Sequence, residues 1–321
     1  MKTFIAAICA TMGVGMSVVS GACAAEGWIE DFEQGMAAAA DGRTALVEFT
    51  GTDWCHYCIV LQKNVFPSQE FADFVKENNL VLVELDFPHG PDKITPEQRA
   101  KNEEIGRRYN VQGYPTILVM DADRQPYARV VGGAESAQAY IARLKAALEV
   151  KKACEDKLAE AFKLSGPERL AALKEVMAMV PMDCRWYQTK LIDQIIESDP
   201  EDTTGLRKRR DSANLQERQI EDMKRAITES TNGRGVAAAL PEVRAALAKQ
   251  LERTDLLPFV RLSVNAFISQ SYVGEGNFVE ALKYMDAAIA AAPDTKEAEV
   301  MRNGRKELEA LISHSRNQKE Q

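Results

Sequence analysis

The tetrapeptide Cys55-His56-Tyr57-Cys58, set directly behind the run Ala45-Leu46-Val47-Glu48-Phe49, constrains this chain more than any other feature. Two cysteines separated by two residues can close a small disulfide ring and reopen it reversibly. The run before them reads as a strand and the residues after them as a helix. At such a junction the first thiol meets unsatisfied backbone N–H groups and the positive end of the helix dipole. That setting favours the thiolate, the species that attacks another disulfide. The motif therefore speaks of electron exchange through sulfur.

The surrounding pattern alternates strand and helix. Residues 46–50 form a short β-rich run, and residues 58–66 read as a helix stopped by Pro67. Phe71, Phe74 and Val75 continue a helical face toward Asn78-Asn79. Residues 80–87 are nearly all apolar, as expected of a strand buried on both faces. Residues 116–120 and 127–131 flank a turn-rich link and suggest an antiparallel hairpin. Tyr140, Ile141, Leu144 and Leu148 then recur at helical spacing. The order is a βαβ unit followed by a ββα unit.

After residue 150 the strand signals vanish. Leu170, Leu173, Val176, Met177 and Val180 mark one amphipathic helix, and Leu191, Ile192, Ile195 and Ile196 another. Ser198-Asp199-Pro200 and Thr231-Asn232-Gly233-Arg234-Gly235 read as breaks between helices.

Residues 1–25 form a leader: Lys2, an apolar stretch over residues 4–19, and the small-x-small pattern Ala22-Cys23-Ala24. Cleavage there starts the mature chain near Glu26. Acylation of Cys23 is the alternative, but Ser20 stands where a lipoprotein wants a Leu-like residue. No other apolar run is long enough to cross a bilayer. The expectation is an exported protein without a membrane span, in the periplasm if the source has two membranes. Cys9 and Cys23 leave with the leader, so Cys55, Cys58, Cys154 and Cys184 remain, and an oxidising compartment permits two disulfides. The net charge of −8 argues against nucleic acid as a partner. The one basic run, Arg207-Lys208-Arg209-Arg210, meets Asp211 at once and reads as a solvated helix face.

Two family resemblances follow from these residues. Trp54-Cys55-His56-Tyr57-Cys58 behind a strand, with Gly113-Tyr114-Pro115-Thr116 further on, resembles the thioredoxin superfamily over about residues 27–150. The resemblance implies the α/β thioredoxin fold, a central mixed sheet flanked by helices, over residues 26–150. It makes Cys55 the nucleophile and Cys58 the resolving thiol, and Pro115 matches the family's cis-proline. Gly113, Tyr114 and Pro115 would present backbone to an extended client. Glu48 falls near the family's buried acid, able to relay the proton of Cys58. Trp54, His56 and Tyr57 would support the pair. A protonated His56 would stabilise a thiolate at Cys55, and so the reduced form, which makes the disulfide more oxidising. The loop Gly51-Thr52-Asp53 and the stretch from Asp86 to Pro115 are longer than in small thioredoxins, and the insertion is expected near the active-site edge. In the second half, Gly276-Asn277-Phe278-Val279-Glu280-Ala281-Leu282-Lys283-Tyr284, with Ala288 and Pro293, resembles one tetratricopeptide unit near residues 262–298. Residues 151–321 are thus expected to form an all-α, helical-repeat-like domain.

Other readings stand beside these. Cys-x-x-Cys can be half of a zinc site, but only the isolated Cys154, Cys184, His89 and His314 could complete it. It can also be an inert structural bridge. Cys154 and Cys184 could tie two helices together as a second disulfide or serve as a second redox pair. His89, beside Pro88 and Gly90, reads as a loop residue, and Trp186 and Tyr187 as core anchors. Neither Ser–His–Asp spacing nor a phosphate-binding glycine loop is present. The expected activity is thiol–disulfide exchange with protein thiols or disulfides. It needs no cofactor beyond the Cys55–Cys58 disulfide, no metal, and a redox partner to reset the pair. The competing reading is a client-binding or assembly protein that uses both halves as a platform.

Overall fold

A computed structural model describes residues 27–319. The leader expected over residues 1–25, with its Cys23 acylation alternative, lies outside the described residues. The chain divides into two compact units, one running to Pro200 and the other starting at Glu201.

The first unit is built on a five-stranded sheet of order β1-β3-β2-β4-β5. Its strands are β1 (Trp28–Ile29), β2 (Ala45–Thr50), β3 (Val81–Asp86), β4 (Thr116–Met120) and β5 (Pro126–Val131). β1, β3 and β2 run parallel, and β4 and β5 are antiparallel additions. All residues of β2 are buried, as the central strand of a two-sided sheet requires. Its odd and even positions serve different helix layers. Leu46, with Leu82 and Ile117, packs under the π-helical turn Leu61–Val65 that continues α2 (His56–Val60), and under α3 (Gln69–Glu77) and α5 (Ala137–Ala161), through Leu61, Phe71 and Leu144. Val47 and Phe49, with Val83 and Leu118, face α1 (Phe32–Ala38) and α4 (Pro96–Arg108) through Phe32, Met36 and Ile105. Each such large apolar side chain contributes about 1.5–3 kcal/mol on burial. Side-chain caps start the helices: Ser68 accepts from the Phe71 N–H, Thr95 from Gln98 and Ser136 from Ala139.

α5 passes without a break through residue 150, and the chain continues in α6 (Gly166–Met179), a 3₁₀ turn at Arg185–Tyr187 and α7 (Thr189–Ser198). This part is fastened to β5. Gln188 donates to the Pro126 carbonyl at 2.6 Å, the Lys190 N–H donates to Gln125 at 3.0 Å, and Arg129 pairs with Asp183 at 3.1 Å. Tyr187 packs against Tyr109 at 5.3 Å. Trp186, read from sequence as a core anchor, is 42% exposed, because the short turn carries it on the surface.

The second unit is helical throughout: α8 (Leu206–Thr231), a 3₁₀ turn at Val236–Ala239, α9 (Leu240–Leu251), α10 (Pro258–Gly274), α11 (Phe278–Ala291) and α12 (Lys296–Lys319). Met223, Val243, Leu247, Val260 and Ile268 form its main core. α10 and α11 make a close hairpin in which the Ser269 hydroxyl donates to the Ala281 carbonyl at 2.8 Å. Ala281 and Ala288 are fully buried there, as small residues at a helix crossing should be. No described helix is long and apolar enough to cross a membrane.

Candidate active site

The loop after β2 sets the position of the cysteines. Cys55 is the N-cap of α2; its N–H donates to the Gly51 carbonyl at 2.9 Å, and its carbonyl accepts from Ile59 at 3.0 Å. Cys58 lies one turn on, and the two form a disulfide. The Cys58 N–H donates to Cys55 Sγ at 3.3 Å, so the first sulfur already receives a backbone proton donor. A thiolate there would be stabilised by the same bond. Cys55 keeps 6% exposure and Cys58 none. Of the pair, only Cys55 keeps any exposure.

Aromatic side chains ring the disulfide. Trp54 and Tyr57 are 40% and 59% exposed. His56, the first residue of α2, is exposed and meets Tyr57 edge-on at 5.5 Å. Gly133 leaves room for Tyr57, since a β-carbon there would come within 3.1 Å of the tyrosine's own. The Tyr114–Pro115 peptide is cis. Tyr114 stands edge-on to Trp54 at 5.5 Å and packs on Phe87 at 5.2 Å. Gly113 faces open space, and its carbonyl accepts from the Thr116 hydroxyl at 2.8 Å.

The insertion after β3 lies against this rim. Asp53 takes the N–H groups of His89 and Gly90 at 3.0 and 2.9 Å. These bonds, that of Gly90 first, hold its carboxyl below the ordinary range. Arg99 on α4 donates to the carbonyls of Pro88 and Gly90 at 2.7 and 3.0 Å. Asp86, at the end of β3, accepts from the Thr52 N–H at 3.0 Å and from its hydroxyl at 2.6 Å. His89 is therefore more than a loop residue. Its ring stacks on Trp54 at 4.7 Å with planes 6° apart.

Glu48 is fully buried in β2, and neither carboxylate oxygen finds a hydrogen-bond partner; the Thr50 hydroxyl lies nearby without bonding geometry. Burial pushes its carboxyl well above the ordinary range, and the charges of Glu84 and Asp86 push it further. Glu84, which sequence reading passed over, stands opposite Glu48 in the β2–β3 register. Burial raises it to about 7 against the opposing pull of a 2.5 Å bond from Gln62. The signal was an acid inside an apolar strand run.

Cys154 and Cys184 are free thiols, both fully buried. They do not form the bridge considered from the cysteine count. Cys154 on α5 neighbours Tyr127, whereas Cys184 neighbours Asp183, Arg129 and Tyr187. Burial lifts them to about 11 and about 12, helped by Glu155 and Asp183 respectively. Among the described residues no three His, Cys, Asp or Glu side chains cluster as metal ligands would.

Comparison with known proteins agrees with this geometry. Residues 33–148 match the model of a thioredoxin-like domain. The chain is 36% identical over 114 residues to the disulfide bond reductase DsbH of Chlamydia pneumoniae, covering 35% of this chain and 66% of that protein. It is 32% identical over 94 residues to the thiol:disulfide interchange protein DsbD of Pseudoalteromonas atlantica, covering 29% of this chain and 14% of that one. A solved structure of a DsbH oxidoreductase is 32% identical, covers 42% of this chain and 91% of its own, and has a TM-score of 0.34. The chain thus spans less than two thirds of each of the two named relatives. The cysteine pair at a strand–helix junction, the mixed sheet and the domain match lead to one assignment: through residues 33–148 the chain belongs to the thioredoxin superfamily.

Proposed function

We propose that this chain is an exported thiol–disulfide oxidoreductase acting on protein disulfides in the periplasm. The observation that carries the reading is the asymmetry of the pair: Cys55 reaches the surface with a backbone N–H on its sulfur, and Cys58 is sealed beneath it. In the reducing direction, the Cys55 thiolate attacks one sulfur of a client disulfide. That S–S bond breaks, a mixed disulfide forms, and the first client thiolate leaves. Cys58 then gives its proton to Glu48 and attacks Cys55 Sγ. The second client thiolate departs, and the client has gained two electrons while Cys55–Cys58 has become a disulfide. Gly113, Tyr114 and Pro115 hold the client backbone during exchange. A reduced partner protein must restore the dithiol.

We favour reduction because the DsbH relative is named a disulfide bond reductase. Oxidation or shuffling is the second reading, supported by His56 beside the nucleophile. The helical second unit, including the tetratricopeptide-like hairpin of α10 and α11, serves in this reading as a client- or partner-binding module. A Cys58→Ala variant should accumulate mixed disulfides on Cys55 in the periplasm; their complete absence would overturn the assigned roles and favour the platform reading. The equilibrium potential of the pair against glutathione decides direction. A value near about −270 mV supports a reductase, and one near about −180 mV or above supports oxidation or shuffling.

A further inference from the structure

The indole of Trp54 is held by four neighbours. Its Nε1–H donates to the Phe87 carbonyl at 2.8 Å. His89 covers one face at 4.7 Å, and Tyr114 closes one edge at 5.5 Å. Behind it, a β-carbon at Gly51 would fall 2.6 Å from the ring, so that position has room for hydrogen only. The partner that stacks is itself fixed. The backbone on both sides of His89 is gripped by the Asp53 carboxylate and by the Arg99 guanidinium. Asp53 immediately precedes Trp54, so the strap closes on the residue beside the one it clamps. The same segment reaches the opposite rim through the Phe87–Tyr114 contact. Such an arrangement costs conformational freedom and adds little core, because Trp54 remains 40% exposed. Its product is a fixed aromatic wall next to Cys55, joined to the loop that carries Pro115.

We infer that His89 is a positioning residue for exchange with polypeptide clients: its stack sets Trp54 as one wall of the groove in which a client segment lies across the disulfide. The inference rests on the oxidoreductase reading and deepens it. A client chain must fit between the Trp54 wall and the Gly113–Pro115 loop, so its exchange depends on the clasp. A small aromatic disulfide needs only to reach Cys55 Sγ. The contact acts by ring stacking, not by proton transfer, so another flat ring should replace the imidazole.

The test compares two probes, insulin as the polypeptide disulfide and dithiobis(nitrobenzoate) as the small one. The reduced mature chain is assayed with each. For His89→Ala, kcat/KM with insulin should fall about tenfold further than with the small disulfide, as expected when a reacting segment loses its orientation. His89→Phe should restore most of the difference. Gly51→Ala, which displaces Trp54 from behind, should reproduce the His89→Ala split with His89 intact. Equal losses on both probes, no loss on either, or failure of His89→Phe to rescue would overturn the clasp. A wild-type chain inactive on both probes would instead overturn the oxidoreductase reading, and the role of His89 in exchange with it.

Discussion

The four cysteines among the described residues share one compact unit, and their surroundings give them opposite chemistry. Cys55 and Cys58 sit at a strand–helix junction, joined in a disulfide whose first cysteine keeps slight exposure and accepts a backbone N–H on its sulfur. Cys154 and Cys184 lie among helices and aromatic rings with no exposure, and burial drives both thiols far above neutrality. A thiol buried in apolar surroundings is a small hydrophobe, whereas a thiol at a helix start is a nucleophile. The lesson is that cysteine count and spacing fix what is available, and the local donors and burial fix what reacts.

The comparison breaks most visibly by mutation at Cys55. Cys55→Ser should lower exchange on the order of 10³-fold or more, as loss of a catalytic nucleophile does. The Cys154→Ser, Cys184→Ser double variant should retain exchange. A comparable loss in the double variant, measured by insulin reduction, would erase the distinction between the pairs.

Burial acts on carboxylates in this unit as it does on thiols, and here the sign can be followed with pH. Glu84 ionises near 4.5 in the unfolded chain but near 7 in the fold. Between those values the folded state holds the extra proton, so stability falls as pH rises through the window and levels off above it. Glu84→Gln, which can still accept from Gln62, should remove Glu84's share of that decline and leave the share due to buried Glu48. It should leave the oxidised protein about 2 kcal/mol more stable than wild type at slightly alkaline pH. Urea unfolding from pH 4.5 to 8 reads the difference, and parallel curves for the two proteins would contradict the assignment.

The smallest effect belongs to the buried thiols. Cys184→Ala or Cys154→Ala should each cost about 1 kcal/mol through the void left by the sulfur. The cost should be the same with and without reductant, because no bond is lost. A much larger loss confined to oxidising conditions would reveal a bridge between them.

Much of the sheet was legible because β2, β3 and the β4–β5 hairpin are apolar runs between turn residues. α4 was read only as part of an insertion between Asp86 and Pro115. Its buried side, Asn102, Ile105 and Gly106, carries one large apolar residue, too weak a signal for periodicity. The cysteine pair and the Gly113–Thr116 motif were legible through the types and spacing of their residues. The clasp was not, since Asp53 and Gly90 stand 37 residues apart and meet only when β3 pairs with β2. Pairing of Cys154 with Cys184 could not be judged either, because a bridge depends on a Cα separation of roughly 4.4–6.8 Å that spacing does not reveal. Glu84 stands out in the sequence only as an acid inside an apolar strand run, and its place opposite Glu48 emerges with the register.

The central claim, that one cysteine of the four is built to react, is tested most directly by mapping alkylation of the reduced, folded chain against pH. Iodoacetamide should label Cys55 first at neutral pH, while Cys154 and Cys184 stay unlabelled until the chain is unfolded. Labelling of Cys154 or Cys184 at the rate of Cys55 in the folded protein would contradict the account.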